Sequence, residues 1–381
     1  CPSIERFNFH CYSAGGRLNI GAALAKGQIV PNRMLEKVAY SCFLCGGCQV
    51  SCSFGMDMHV FEPILELRFQ LARDGFVPQA FSDYKDQFEK RRGLLGTPYK
   101  GQWAREIGAR VGSGQVYLYI GCLIESDPHL WRIPQLLSEV LRRSGLSFTV
   151  GPEDEPCCGA QLYQMGFERE FVDHAERLGA YWNSLDVRLV VAFCSHCYWA
   201  LKVLLAKYGV HLRPRILHVT EFVEELLQRG ELYSTAQEIH KRPVTYHDPC
   251  KLGRLSEPWI PWQGEKKPGP RFQFVPPRPY RRGTNGVYQA PRRILSYAGV
   301  TFLEMPRTRE YAWCCGSGGG IWLSDPELAT WVAEARVREA KATGAEILAT
   351  ACPWCRSLLS KASAALGNPV QVLDVLELLF H

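Results

Sequence analysis

Sixteen cysteines in 381 residues, and above all their spacing, carry most of the chemical information in this chain. They fall into three groups: Cys1, Cys11, Cys42, Cys45, Cys48 and Cys52; Cys122, Cys157, Cys158, Cys194 and Cys197; and Cys250, Cys314, Cys315, Cys352 and Cys355. The second and third groups share one grammar, a single Cys, then Cys-Cys-Gly, then Cys-x-x-Cys. Cys158 and Cys315 are 157 residues apart and Cys194 and Cys352 are 158 apart, which marks a duplicated module. Adjacent cysteines suit one tetrahedral zinc poorly, because their side chains diverge along extended backbone, whereas a polynuclear centre can take both. Gly159 and Gly316 follow the two pairs and allow close backbone approach and amide hydrogen bonds to sulfur, so both are expected to help bind a cofactor. The run Gly316-Ser-Gly-Gly-Gly320 lacks the Lys-Ser/Thr ending of a phosphate-binding loop.

The first group is different. Cys42-x-x-Cys45-x-x-Cys48-x-x-x-Cys52 has the spacing with which bacterial ferredoxins hold a [4Fe–4S] cluster, three thiolates of one loop reaching three irons of a cube. Upstream, Cys1-x-x-Ile4-x-x-Phe7-x-x-x-Cys11 keeps the register with two ligand positions replaced by apolar residues. The fourth Cys of such a run serves the other cluster in two-cluster ferredoxins. The spacing therefore predicts one cubane on Cys11, Cys42, Cys45 and Cys48, the second cluster, left with Cys1 and Cys52, being lost. A four-cysteine zinc site is the alternative, and the three-Cys run disfavours it.

These thiols need elements to aim them. Val116–Ile120, Leu189–Phe193, Val244–Tyr246 and Ile347–Thr350 are short apolar or β-branched runs, each followed within a few residues by a cysteine. Amphipathic stretches lie between them, at Ile133–Arg143, Glu168–Trp182, Glu327–Ala342 and Arg356–Leu366. Alternating strands and helices predict an α/β fold with parallel sheets, whose sites form beyond the strand carboxyl ends. Helices are expected at Met34–Tyr40 and Phe61–Asp74, making residues 1–80 a small helical module. The expected division is then a linker over 81–114, a first Cys-Cys-Gly module over 115–240 and a second over 241–381.

Cys122 and Cys250 are only 128 residues apart, so the second copy carries about 29 extra residues, found in the Pro-, Gly- and Arg-rich stretch 251–293. Ten Lys and Arg stand there against Glu257 and Glu265, interleaved with Trp259, Trp262, Phe272, Phe274, Tyr280 and Tyr288. This basic insertion reads as a docking strap for a partner subunit. The chain as a whole carries a formal charge of only +6 and no nucleic-acid-binding fold, so nucleic acid is not an expected partner. With 46% apolar and 22% charged residues it can bury a large core, which excludes disordered and collagen-like classes. It contains neither a transmembrane run nor a signal pattern at its start, so a cytoplasmic protein is expected, with peripheral membrane association left open. In a reducing compartment clustered cysteines mean metal or redox chemistry rather than disulfides.

Together, Gly121-Cys122, Cys157-Cys158-Gly159 and Cys194-Ser-His-Cys197, then Tyr246-His-Asp-Pro-Cys250, Cys314-Cys315-Gly316 and Cys352-Pro-Trp-Cys355, resemble the catalytic subunit of heterodisulfide reductase and its wider family of paired Cys-Cys-Gly (CCG) iron–sulfur oxidoreductases. The N-terminal part resembles that enzyme's small electron-feeding subunit fused in front. The resemblance implies two pseudo-symmetric Rossmann-like modules, each holding a noncubane [4Fe–4S] cluster, the two facing each other across a pseudo-twofold axis. By position the ligands are Cys122, Cys157, Cys158, Cys194 and Cys197 for one cluster, and Cys250, Cys314, Cys315, Cys352 and Cys355 for the other. It implies two-electron chemistry on a disulfide or thiol substrate. With no flavin or nicotinamide motif in the chain, electrons must come from flavin- or iron–sulfur-containing partner subunits. The alternative is a non-catalytic relay between a flavin or quinone partner and another reductase, such as an aromatic acyl-CoA reductase or a sulfur-metabolism complex. His196 and His247 stand beside ligands as candidate proton donors, although orienting a cysteine loop is the simpler role for both.

Overall fold

A computed structural model covers the chain and describes all residues except 57, 92–100, 107, 110–113, 153–154, 236–241, 258–261, 270–272, 278–282 and 381, with backbone only at 53–56 and 91. Two parallel four-stranded sheets form its centre. The first comprises β1 (Val116–Tyr119), β2 (Thr149–Val150), β3 (Leu189–Ala192) and β4 (Arg215–His218), in the order β2-β1-β3-β4. The second comprises β5 (Val244–His247), β8 (Phe302–Leu303), β9 (Ile347–Thr350) and β10 (Gln371–Asp374), in the order β8-β5-β9-β10. The two orders are the same once β5 is matched to β1. Register agrees as well, Val116 pairing with Leu189 as Val244 pairs with Ile347. Between β5 and β8 in sequence a short antiparallel pair, β6 (Glu265–Lys267) and β7 (Gln273–Val275), stands exposed within the expected insertion, with Trp262 edge-on to Phe274.

Central strands are buried on both faces, as parallel sheets covered by helices require. The covering helices include Arg132–Arg143, Glu168–Ser184, Pro326–Ala342 and Pro353–Ala365, close to the four amphipathic stretches read from sequence. After Cys194 the chain is α-helical over Ser195–Trp199, widens to a π-helix over Ala200–Leu204 and returns to α over Leu205–Lys207; its counterpart after Cys352 is a regular α-helix.

In the N-terminal region helices span Pro2–Phe7, Ala14–Ala25, Arg33–Tyr40, Gly47–Met56 and Phe61–Arg73. The structure then departs from the expected surface linker, because Gln79–Arg91 is a helix. Phe81, Tyr84 and Phe88 lie along one face of it and are buried in the main core. Three aromatics at helical spacing hold this helix down despite its polar composition. Residues 251–256 are likewise buried rather than loop surface, and Gln289–Tyr297 is a helix, so among the described residues both ends of the expected insertion pack into the fold. Trp259, Phe272 and Tyr280 lie outside the described residues.

Candidate iron–sulfur centres at the strand ends

Every cysteine of the two modules follows the carboxyl end of a strand: Cys122 follows β1, the Cys157-Cys158 pair β2, Cys194 and Cys197 β3, Cys250 β5, the Cys314-Cys315 pair β8, and Cys352 and Cys355 β9. All sixteen cysteines are unbridged. In the first module Cys122 hydrogen-bonds Cys157, Cys157 bonds Cys158, Cys158 bonds Cys197 and Cys197 bonds Cys194. In the second, Cys314 bonds Cys315, Cys315 meets Cys355 at 3.2 Å, and Cys355 bonds Cys352, while Cys250 faces Cys315. The two sets meet where Cys194 touches Cys352, and Ser195 Oγ donates to Cys352 Sγ at 2.9 Å.

Crowded, dry thiols cannot all ionise. Cys157 and Cys315 are held well below the usual thiol range by hydrogen bonds from neighbouring thiols. Hydrogen bonds to neighbouring thiols and burial instead push Cys122, Cys158, Cys197 and Cys314 well up. Burial pushes Cys250 up to about 12. Such a set becomes fully anionic only around a cation, and metal binding then releases protons. An all-thiol, water-poor donor set of this kind fits iron–sulfur ligation.

Gly159 and Gly316 sit in the left-handed region, at φ +71° and +91°, where a Cβ would strike His174 and the Ala329 carbonyl. Gly316 N donates to Cys314 Sγ at 3.3 Å, and the Gly159 amide donates to Cys157. His247 accepts at Nδ1 from the buried Arg336 Nε (3.1 Å), its Nε2 is buried without a hydrogen-bond partner among the described residues, and a ring nitrogen lies within 4.8 Å of the Cys315 and Cys355 thiols. His196, from the first module, lies against Cys194 and reaches across to Cys352. Asp248 locks the turn before Cys250 through a bidentate pair with Arg292 at 2.8 and 2.9 Å and a bond from Arg309 N. Burial opposes its ionisation, but Arg292 wins and holds the carboxyl below its usual range.

The N-terminal loop borders a cavity of about 500 Å³ lined by Cys1, Cys42, Cys45, Cys48, Cys52 and Cys314. Of the expected ligands, Cys42, Cys45 and Cys48 line this cavity, whereas Cys11, in the short turn His10–Tyr12, does not; Cys1 does. One signal for this was in the sequence, since Cys1 is followed by Pro2, the Cys-Pro pair that closes ferredoxin runs, whereas Ser53 follows Cys52. Cys45 hydrogen-bonds Cys314, which holds its thiol well down. Burial pushes Cys48 up to about 12, aided by Cys42, Cys45 and Cys52.

Sequence reasoning missed the residues that hold these centres together. Arg68, fully buried, donates through Nη1 to the carbonyls of Gln164 (2.7 Å) and Gly319 (2.8 Å), and through Nη2 to those of Tyr40 (3.4 Å) and Cys42. It thereby ties the N-terminal region to both modules. Gly318 and Gly319 press on the same loop, where a Cβ would stand 2.3 Å from Phe43 O and 2.5 Å from Cys42 O. The Gly run is thus a contact surface for the N-terminal loop. Tyr84 hides its hydroxyl beside Cys157, Cys122 and Cys158 with no hydrogen-bond partner among the described residues.

Among the described residues no helix is long and apolar enough to cross a membrane. The model of the CCG cysteine-rich domain matches twice, at residues 116–202 and 279–360. The chain is 30% identical over 353 residues to one of the subunits of dihydromethanophenazine:CoB–CoM heterodisulfide reductase from Methanosarcina barkeri, covering 89% of this chain and 76% of that one. It is 25% identical to EtfAB:quinone oxidoreductase of Syntrophomonas wolfei, over 91% of this chain and 46% of the relative. It is 27% identical to one of the subunits of fumarate reductase (CoM/CoB) from Methanothermobacter marburgensis, over 91% and 62%. With two such domains, two matching parallel sheets and this similarity, the chain belongs to the CCG-domain family of heterodisulfide reductase-like iron–sulfur oxidoreductase subunits.

Proposed function

We propose that the chain is the redox subunit of a multi-subunit complex in which each CCG module holds a noncubane [4Fe–4S] cluster and the N-terminal loop one cubane, acting on a disulfide or thiol substrate in two-electron chemistry. The observation that carries this reading is the meeting of the two five-cysteine sets at Cys194 and Cys352. Cys122, Cys157, Cys158, Cys194 and Cys197 would hold one cluster, Cys250, Cys314, Cys315, Cys352 and Cys355 the other, and Cys1, Cys42, Cys45 and Cys48 the cubane. Bound clusters supply one-electron storage. The residues around them exclude water and place donors: the Gly159 and Gly316 amides and the His247 ring aim at sulfur, and His196 spans the seam. Electrons would come from flavin- or iron–sulfur-containing partners, and unbridged cysteines favour a cytoplasmic setting.

The test is iron and acid-labile sulfide analysis with Mössbauer and EPR spectroscopy on anaerobically purified protein. One cubane and two atypical centres are expected, the latter responding to added thiols. Colourless protein filled with zinc and free of sulfide would overturn the reading. Turnover of disulfides with a reduced viologen separates a catalytic role from a relay.

A further inference from the structure

The two modules match in topology, but their surroundings differ just after the first cysteine of each set. In the second, Cys250 is followed by Lys251 and Arg254; counting equally from Cys122, the first has Leu123 and Ser126. Lys251 is fully buried. Its Nζ donates to Leu44 O at 2.9 Å and lies 4.0 Å over the ring of Trp199. Arg254, also buried, donates through Nε to Cys45 O (2.9 Å) and through Nη1 to Glu310 O (2.9 Å) and Ala312 O (2.6 Å). Its Nη2 has no hydrogen-bond partner among the described residues. Both cations touch the backbone of the N-terminal cysteine loop and both face the Cys250 thiol, while Arg254 also faces Cys45 and Cys314. Leu255, next in the same turn, packs where a Cβ on Gly46 would stand.

Two buried cations that spend their hydrogen bonds on carbonyls are costly unless negative charge lies close by. Polarised carbonyls satisfy part of their demand. The Arg254 Nη2, buried without a hydrogen-bond partner among the described residues, is left for whatever anionic group occupies the thiol sets that Arg254 faces. A nearby fixed positive charge favours the more negative, reduced form of a metal centre, and low local dielectric strengthens the effect.

We propose that Lys251 and Arg254 set the iron–sulfur centre of the second module at a higher reduction potential than that of the first, making it the module poised to accept charge from the N-terminal centre. This rests on the reading that the thiol sets hold iron–sulfur clusters. Duplication supplies equal ligands, and the two cations give the pair a direction.

The test uses the full chain, purified anaerobically, with Cys158→Ser to leave only the second-module centre of the pair, and with Cys315→Ser to leave only the first. Iron and sulfide are measured before anything else, and their absence from the unsubstituted chain defeats the cluster reading rather than this one. In redox titrations followed by EPR, Arg254→Gln in the Cys158→Ser protein should weaken the reduced second-module centre about tenfold, a downward shift of about 59 mV for one electron. Arg254→Lys should keep most of the wild-type potential, and Arg254→Gln in the Cys315→Ser protein should leave the first centre unmoved. An unchanged second-module potential with iron retained, or an equal shift in the first module, overturns the proposal. Lys251→Met gives the same comparison with the same two outcomes if Arg254→Gln does not fold.

Discussion

The first and second CCG modules have the same strand order, register and five-cysteine grammar, yet their thiols lie in different surroundings. Around the first set stand aromatic neighbours: the buried Tyr84 hydroxyl faces Cys157, Cys122 and Cys158, Tyr119 faces Cys197 and Cys158, and His174 lies beside Cys157. The second set is bordered by Lys251, Arg254 and the Arg336–His247 pair. The helix caps diverge in the same way. His218 at the end of β4 and Asp374 at the end of β10 each close a capping box, with Glu221 and Glu377 respectively. Burial pushes His218 down to about 3 and Asp374 up to about 7. One backbone plan thus holds two chemically distinct environments, and duplication of ligands does not entail duplication of function.

The comparison is tested most severely by Cys158→Ser and Cys315→Ser. Each should abolish the centre of its own half and spare the other, as read by iron content and EPR. Loss of both from one substitution would mean that contact between Cys194 and Cys352 makes the halves a single unit. Next in size is Arg68→Met, which takes the Arg68 donor from five carbonyls, those of Ala39, Tyr40, Cys42, Gln164 and Gly319, and should lower unfolding stability by about 3 kcal/mol or more. A loss below about 1 kcal/mol in denaturant titration would remove Arg68 from its joining role.

The two caps give a smaller, pH-dependent difference of opposite sign. His218 stays neutral in the fold, so its contribution is full above pH 6.5 and is lost as pH falls toward about 3. His218→Asn should flatten the fall of stability below pH 6.5 while keeping a cap. Asp374 is raised, so its contribution is full below pH 3.8 and is lost as pH rises through about 7. Asp374→Asn should therefore gain stability over wild type at about pH 8 and lose that gain near about pH 4. Urea midpoints measured across this range decide both, and parallel slopes for variant and wild type would contradict them. The smallest effect is expected for Tyr84→Phe, with stability within about 1 kcal/mol of wild type and a spectral change restricted to the first centre.

Much of this is legible in the sequence. The offsets of the Cys-Cys-Gly and Cys-x-x-Cys motifs announce the duplication, and β1, β3, β5 and β9 are apolar runs long enough to read. Strands β2 and β8 have two residues each, too few for a period, and β4 opens on the exposed Arg215, so only the sheet reveals them. The helix Gln79–Arg91 hides in the sequence because its buried stripe is three aromatics within a polar stretch. Lys251 and Arg254 count as insertion charge by composition, which cannot tell a solvated cation from one buried against carbonyls. Register alone favours Cys11 over Cys1, and the Pro2 that follows Cys1, which lines the cavity, is a weaker signal that register outweighs.

The glycines pressed on Phe43 and Cys42 have a kinetic consequence. Electron tunnelling falls steeply with the gap to be crossed, and most gaps in proteins breathe as side chains change rotamer. Here main chain rests on main chain, so between the centres proposed for the N-terminal loop and the second module the spacing of the two backbones would not change with rotamer motion.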